Sequence, residues 1–173
     1  MDPDTLERLR RGVPLRLDRL GQFLFEGDPV THPGVRALFL RGLDLAPSGE
    51  PALRVGDMWC YLQVDDCILR ATAVVPDPAG APLLRLDDGR ELALDPTTLW
   101  EEPGHGLRAS VPSQPSGRPL SVRFTNQALA DLSAWLSDDP DAPALRLGEA
   151  LLPIPDAPAP LASARGSDPS GAS

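Results

Sequence analysis

The sequence predicts an α+β fold in which antiparallel β-hairpins are accompanied by short helices. Three observations lead to this prediction. Apolar and polar residues alternate on both sides of glycine-containing turns, which is typical of hairpins. Other segments space their apolar residues by three and four, which is typical of amphipathic helices. Proline and small polar residues separate the two kinds of segment and mark the starts of helices.

The first elements are a short helix and a hairpin. Residues 5–12 are predicted to be helical, with Asp4 or Thr5 as the cap and Gly12 at the end. A hairpin follows, because apolar residues alternate around Gly21: Leu15, Leu17, Phe23 and Phe25.

The segment THPGVRALFLRGL predicts the second helix, over residues 33–41. Its apolar residues Val35, Leu38 and Phe39 fall on one side of a helix, and a proline such as Pro33 suits the first turn. Thr31 or His32 therefore occupies the cap position. A binding role for His32 at this helix start is the functional alternative to simple capping.

The segment MWCYLQVDDCILRATAVV predicts two long strands that meet near Asp65 and Asp66. Alternation gives the first strand a core face and an outer face. The predicted core face holds Met58, Cys60, Leu62 and Val64, and the predicted outer face holds Trp59, Tyr61 and Gln63.

The proline-rich segment 76–82 is the predicted boundary between two β-rich subdomains. Residues 1–75 form the first, with a hairpin, a helix and strands, and residues 83–154 form the second, with one helix. Around Gly89, residues 86–95 repeat the pattern of residues 17–26, as either a true duplication or the shared needs of hairpins.

The second subdomain is predicted to hold strands near residues 107–111 and 120–124 and a helix within TNQALADLSAWL. A last strand pair lies within ALRLGEALLPI. Residues 155–173 are rich in Pro, Ala, Ser, Gly and Asp and are predicted to form a disordered tail.

Charge and hydropathy exclude several classes of function. The chain has 173 residues and a formal net charge of -9. Nucleic acids and anionic membranes are bound mainly through dense positive charge, so neither is an expected partner. The N-terminus lacks the features of a signal peptide, and no apolar run approaches the roughly 20 residues that span a bilayer. The predicted location is the bacterial cytoplasm.

No motif of catalysis or of metal binding is found. His32 and His105 are the only histidines and do not form a metal-binding pattern with other ligands. Cys60 and Cys67 are the only cysteines, they do not form a CxxC motif, and buried structural thiols are their expected role. The sequence therefore predicts no catalytic residue, no metal site and no cofactor.

Several segments resemble the bacterial family called domain of unknown function 1285. The residues that carry the resemblance match a G-x-W/F-x-x-x-G-x-P-I hairpin, a helix ending in LF and a V-x-D-x-P-F segment: Phe23, Gly27, Pro29, Val30, Leu38, Phe39, Val64 and Asp66. Cys67 and Ile68 stand where that family has Pro and Phe. The resemblance implies two related subdomains with a groove between them, and ligand or partner binding in signalling.

The main hypothesis is thus a non-catalytic module that binds a small molecule or a protein in that groove. Its expected ligand-binding residues lie on the outer strand face, at the strand junction and at the helix start: His32, Gly34, Trp59, Tyr61, Asp66 and Arg70. Two alternatives remain, an enzyme using Cys60 or Cys67 with a histidine, and a scaffold that forms homo-oligomers through a strand edge.

Overall fold

A computed structural model describes residues 1–158 of the chain. Most of the predicted disordered tail, residues 159–173, lies outside the described residues. Its beginning does not: the carbonyl of Pro155 accepts a hydrogen bond from the backbone N–H of Glu101 at 2.8 Å. The predicted tail therefore starts too early, because this backbone hydrogen bond holds Pro155 beside a strand.

The predicted α+β fold is confirmed. The first half of the chain contains α1 (Pro3–Arg11), β1 (Leu15–Leu17), β2 (Phe23–Phe25), β3 (Asp28–Pro29), α2 (Pro33–Gly42), β4 (Leu43–Leu45), β5 (Pro51–Val55), β6 (Met58–Tyr61) and β7 (Gln63–Val64). The second half contains β8 (Leu69–Pro76), β9 (Pro82–Leu86), β10 (Glu91–Ala93), β11 (Trp100–Glu102), β12 (Gly106–Pro112), β13 (Pro119–Phe124), α3 (Asn126–Leu132), β14 (Ala144–Leu147) and β15 (Ala150–Pro153).

A six-stranded sheet with the order β10-β9-β8-β13-β12-β11 is the largest unit of the fold. The first half adds a four-stranded sheet, β3-β2-β1-β7, and a three-stranded sheet, β4-β5-β6. Apolar side chains from both halves pack into one core, and the largest fully buried ones include Phe23, Leu17, Leu69, Leu84 and Leu132. The two halves of the chain therefore share their hydrophobic interior.

Residues 76–82, the predicted linker, form the tight turn of the β8–β9 hairpin. Asp77 closes the turn, because its carboxylate accepts hydrogen bonds from the backbone N–H groups of Ala79 and Ala81 at 2.8 and 2.9 Å. One sheet thus contains strands from both sides of this segment. The division of the chain into two domains stays a prediction, as does the duplication of the two hairpins.

Two local predictions need correction. Asp2, instead of Asp4 or Thr5, caps α1, since its carboxylate accepts from the N–H of Thr5 at 3.2 Å. The predicted core face of the MWCYLQV strand also fails at Met58, which is 79% exposed. The predicted strand is interrupted between β6 and β7, so the alternation of core-facing and outward-facing side chains does not extend from Met58 to Leu62.

The buried carboxylate of Asp44 joins the first half of the chain to the β12–β13 loop. It is 0% exposed and accepts hydrogen bonds from the hydroxyls of Ser113 and Ser116 and from Nε of Arg54. Burial pushes the pKa of Asp44 up, but the hydrogen bonds from Ser116, the Leu45 backbone, Ser113 and Arg54 outweigh it and lower the pKa.

We expect Asp44→Asn to destabilise the protein at neutral pH by about 2–4 kcal/mol, because an amide cannot match a carboxylate in this network. A lowered folded-state pKa adds stability that is present above the ordinary carboxyl pKa and lost as the pH falls through the folded pKa. The difference in melting temperature between the two proteins should therefore shrink below about pH 4. Asp28→Asn, at an exposed carboxylate, is the control and should show no such difference; a constant gap for Asp44→Asn down to pH 2.5 would contradict the assignment.

We also expect Gly42→Ala to be strongly destabilising, because an added Cβ would overlap the carbonyl oxygen of Arg54 in β5. A backbone clash in a packed core costs roughly 3 kcal/mol or more. Gly12→Ala at the end of α1 is the matched control, since its Cβ would meet only two carbonyl oxygens of its own helix, at 3.2 and 3.7 Å. Equal unfolding free energies for the two variants in urea would show that α2 is not packed on β5 as described.

Candidate functional site

The six predicted binding residues lie in three separate environments. His32 and Gly34 are at the start of α2, and Trp59 and Tyr61 are on β6 beneath α1. Asp66 lies in the loop between β7 and β8, and Arg70 lies near the start of β8. Two of these environments have features of a binding site. These are the α1 groove, between α1 and the β5–β6 hairpin, and the arginine row, formed by Arg70, Arg108 and Arg123.

At the start of α2, His32 is the capping residue. Its Nδ1 accepts hydrogen bonds from the N–H groups of Gly34 and Val35 at 3.1 and 3.3 Å. These are the amides that would otherwise face an anion at a helix start. The imidazole already satisfies them, so the geometry here is that of a helix cap.

On β6, Trp59 and Tyr61 form an edge-to-face pair with ring centroids 5.2 Å apart. The guanidinium of Arg10 lies 4.1 Å from the Trp59 ring centroid, and that of Arg11 lies 3.9 Å from the Tyr61 ring centroid. The Tyr61 hydroxyl donates to the carboxylate of Glu7 at 2.7 Å. This hydrogen bond, followed by burial, raises the pKa of Tyr61. Both aromatic residues are therefore covered by α1.

The α1 groove is a cavity of about 610 Å³ between α1 and the β5–β6 hairpin. Apolar side chains form most of its walls: Leu6 and Leu9 from α1, and Val55, Met58 and Trp59 from the hairpin. Arg10 and Asp57 are the charged residues in its lining. The exposed apolar side chains of α1 and of the hairpin thus face a shared space instead of packing on each other.

The arginine row crosses the six-stranded sheet at one level. Arg70 of β8 pairs with Arg123 of β13, and Arg123 pairs with Arg108 of β12. Directly paired residues in a sheet point to the same face, so three guanidinium groups lie side by side. Like charges in this arrangement destabilise a sheet unless other groups compensate them.

Carboxylates compensate the two outer arginines, which are both buried. Arg70 Nε lies 2.6 Å from Asp87 Oδ2. Arg108 lies 3.1 Å from Asp66 Oδ1 and 3.3 Å from Glu102 Oε2. Arg70 also donates to the backbone carbonyls of Asp18, Arg19, Cys67 and Ile68, which is the role of a structural arginine.

The middle arginine is less well satisfied. Arg123 Nη1 donates to the Arg19 carbonyl at 3.3 Å and lies 3.5 Å from Asp66 Oδ2. Within residues 1–158, the buried atoms Arg123 Nε and Asp66 Oδ2 lack a hydrogen-bond partner. The side chain of Arg19 lies over them, 70% exposed, with its Nε 3.9 Å from Asp66 Oδ2.

Asp66 and Arg70 are among the predicted binding residues, whereas Arg19, Arg108 and Arg123 are not, and the binding role of all five stays untested. The local signal was weak, since all basic residues of this chain are arginines and single ones carry little information. The row depends on the register of three strands that are distant in sequence. Arg108 and Arg123 carry the one local signal, because a charged residue inside an otherwise apolar strand pattern indicates a buried or paired arginine.

Residues 1–158 lack two further features, a cluster of metal ligands and a membrane-spanning helix. No group of three or more His, Cys, Asp or Glu side chains in this range is arranged to hold a metal ion. In the same part of the chain, no helix is long and apolar enough to cross a membrane.

No protein-family model matches the chain. A search of curated proteins likewise gives no match. Two solved structures are similar. The first, a DUF1285 family protein from Silicibacter pomeroyi DSS-3, has a TM-score of 0.62 and 15% identity, over 82% of this chain and 79% of that one.

The second is a DUF1285 family protein from Shewanella baltica OS155, with a TM-score of 0.55 and 16% identity. The similarity covers 71% of this chain and 92% of that one. The resemblance expected from the hairpin, helix and strand motifs is thus confirmed in three dimensions, and the chain has the fold of DUF1285 family proteins.

Proposed function

We propose that the protein is a non-catalytic binding module that holds a small molecule with an apolar chain and an anionic end in the α1 groove. The observation that carries the proposal is the apolar, open cavity of about 610 Å³ between α1 and the β5–β6 hairpin. Pockets for small molecules commonly measure about 300–1,000 Å³ and are mainly apolar with a few polar groups.

The apolar part of the ligand follows from the walls. On the hairpin wall Met58 is 79% exposed and Val55 is also exposed, and Leu9 is exposed on the facing wall formed by α1. Clustered exposed apolar side chains are costly in water and mark binding surfaces. A linear alkyl chain lying between α1 and β6 would cover them from both sides.

The anionic end follows from Arg10. Its guanidinium stacks on the Trp59 ring at the edge of the groove. Among the described residues it forms no ion pair, whereas the next residue, Arg11, is paired with both Glu7 and Glu50. Arg10 is therefore available to pair with the carboxylate of a ligand. Asp57, on the hairpin turn, carries a negative charge and would repel that carboxylate if the ligand bound in the opposite orientation.

The two thiols support binding rather than thiol catalysis. Burial raises the pKa of Cys60, which lies in the groove lining, and it raises the pKa of Cys67 to about 11. A catalytic cysteine needs the opposite shift, because the thiolate is the nucleophile. Both cysteines are free, as expected in a reducing cytoplasm. A cytoplasmic location and a role in signalling are parts of this proposal.

Isothermal titration with octanoate, decanoate and decan-1-ol, below micellar concentrations, tests the proposal. Affinity should rise about two- to fourfold with each methylene that enters the groove. Decanoate should bind more tightly than decan-1-ol, and Arg10→Gln should reduce decanoate affinity about two- to fivefold without weakening decan-1-ol. Met58→Ser should reduce the affinity for both decanoate and decan-1-ol.

The chain offers matched controls for these variants. Arg8→Gln removes an exposed arginine of the same helix that does not line the groove. Leu20→Ser removes an apolar side chain that is 78% exposed, nearly the same as Met58, at a distant turn. Absence of decanoate binding by the folded protein, or equal losses in the control variants, would refute the proposal.

A labelling experiment separates this proposal from the thiol-enzyme alternative. Both thiols should react with dithiobis-nitrobenzoate more slowly than free cysteine at pH 7, and Cys67 more slowly than Cys60. The Cys67 rate should keep rising through pH 9 and 10, because its pKa is about 11. Single Cys60→Ser and Cys67→Ser variants assign the two rates. Rapid labelling of either thiol below pH 7 would instead favour the enzyme.

A further inference from the structure

We infer that the arginine row contains a second binding site, for a singly protonated phosphate group, formed by Arg19, Arg123 and Asp66. This inference does not depend on the α1 groove. It rests on the unsatisfied centre of the row and on the chemical character of the atoms that are unsatisfied there.

Arg123 has hydrogen-bond donors without acceptors. A guanidinium carries five N–H groups, and within residues 1–158 the side chain of Arg123 donates one hydrogen bond, from Nη1 to the Arg19 carbonyl. Its Nε is buried without a partner. A buried unsatisfied donor is costly, and a phosphate oxygen is the acceptor that best matches an arginine fork.

Arg19 adds a second fork at the surface. Among the described residues its side chain makes no hydrogen bond, and its one ion pair, to Asp66, is long at 3.9 Å. Arg70 fixes its backbone over the row by donating to the Arg19 carbonyl at 3.4 Å. The exposed, flexible side chain of Arg19 thus covers the centre of the row and can move aside to admit an anion.

The local charge favours an anion although the whole chain is acidic. Four guanidinium groups, of Arg19, Arg70, Arg108 and Arg123, meet the three carboxylates of Asp66, Asp87 and Glu102. Among the groups joined by these ion pairs, one positive charge is therefore left over. It resides at Arg19 and Arg123, since Arg70 and Arg108 have close carboxylate partners.

Asp66 determines which anion fits. Its Oδ2 is a buried acceptor without a donor, and it lies 3.5 Å from Arg123 Nη1. A ligand that satisfies both Arg123 Nε and Asp66 Oδ2 must accept a hydrogen bond from the arginine and donate one to the carboxylate. Hydrogen phosphate, or a singly protonated phosphate monoester, has acceptor oxygens and one O–H, whereas sulfate at neutral pH has no O–H to donate.

The test compares phosphate and sulfate at constant ionic strength, by thermal shift and by titration calorimetry. Inorganic phosphate should bind the full chain about tenfold more tightly than sulfate. Glycerol phosphate, compared at about pH 6 where roughly half of the monoester carries the O–H, is the organic arm. Tighter binding than inorganic phosphate identifies a phosphate ester as the ligand, and weaker binding identifies the free ion. Equal effects of phosphate and sulfate on the native protein would overturn the inference.

Two variants make the test independent of folding. Arg19→Gln changes a largely exposed side chain and should weaken phosphate binding about tenfold at unchanged stability. Arg85→Gln, at an exposed arginine paired with Glu91, is the control and should bind normally. Asp66→Asn should reduce the preference for phosphate over sulfate, because an amide can donate to sulfate. Unaltered binding in Arg19→Gln, or unaltered selectivity in folded Asp66→Asn, would also overturn the inference.

Discussion

The hydrogen-bonding network of Arg70 holds the first half of the chain on the six-stranded sheet. Its buried guanidinium joins three segments: β8, the β9–β10 turn through Asp87, and the β1–β2 turn through two carbonyls. Gly21 permits this contact, because a Cβ there would lie 2.7 Å from Arg70 Nε. Removing one member of such a network leaves a buried charge uncompensated, so the orientation of the β1–β2 turn is tightly specified. The position of Arg19 over the arginine row is a consequence of this constraint.

A different kind of contact holds the other side of the first half. No residue of α1 is buried. The helix is attached to β6 by the Tyr61 hydroxyl bond to Glu7 and by cation–π contacts, and to the β4–β5 loop by the ion pair of Arg11 with Glu50. Such exposed polar contacts contribute little individually, and segments without buried apolar contacts open most easily. The wall of the α1 groove is therefore the element best able to adjust to a ligand, whereas the arginine row is rigid apart from Arg19.

The parts of the fold that sequence reasoning predicted depend on local rules. The spacing of Val35, Leu38 and Phe39 after Pro33 predicted α2, and turn chemistry around Gly21 predicted the first hairpin. The arginine row could not be predicted in this way, because Arg70, Arg108 and Arg123 become neighbours only through strand pairings between distant segments. The groove was missed for a similar reason: the contact between α1 and β6 is tertiary, and alternation alone could not show which face of β6 a helix covers.

The net charge of -9 does not conflict with an anion site in the arginine row. Net charge governs long-range attraction, and at physiological ionic strength salt screens exposed charges beyond about 8 Å. Nucleic acids and membranes need many cations spread over a wide surface, so an acidic chain is a poor partner for them. A single small anion responds instead to the few groups within hydrogen-bonding distance, in a partly buried setting where screening is weak. At Arg123 those groups are Arg19, with an exposed guanidinium, and Asp66, whose Oδ2 lacks a donor, so the local balance decides what can bind there.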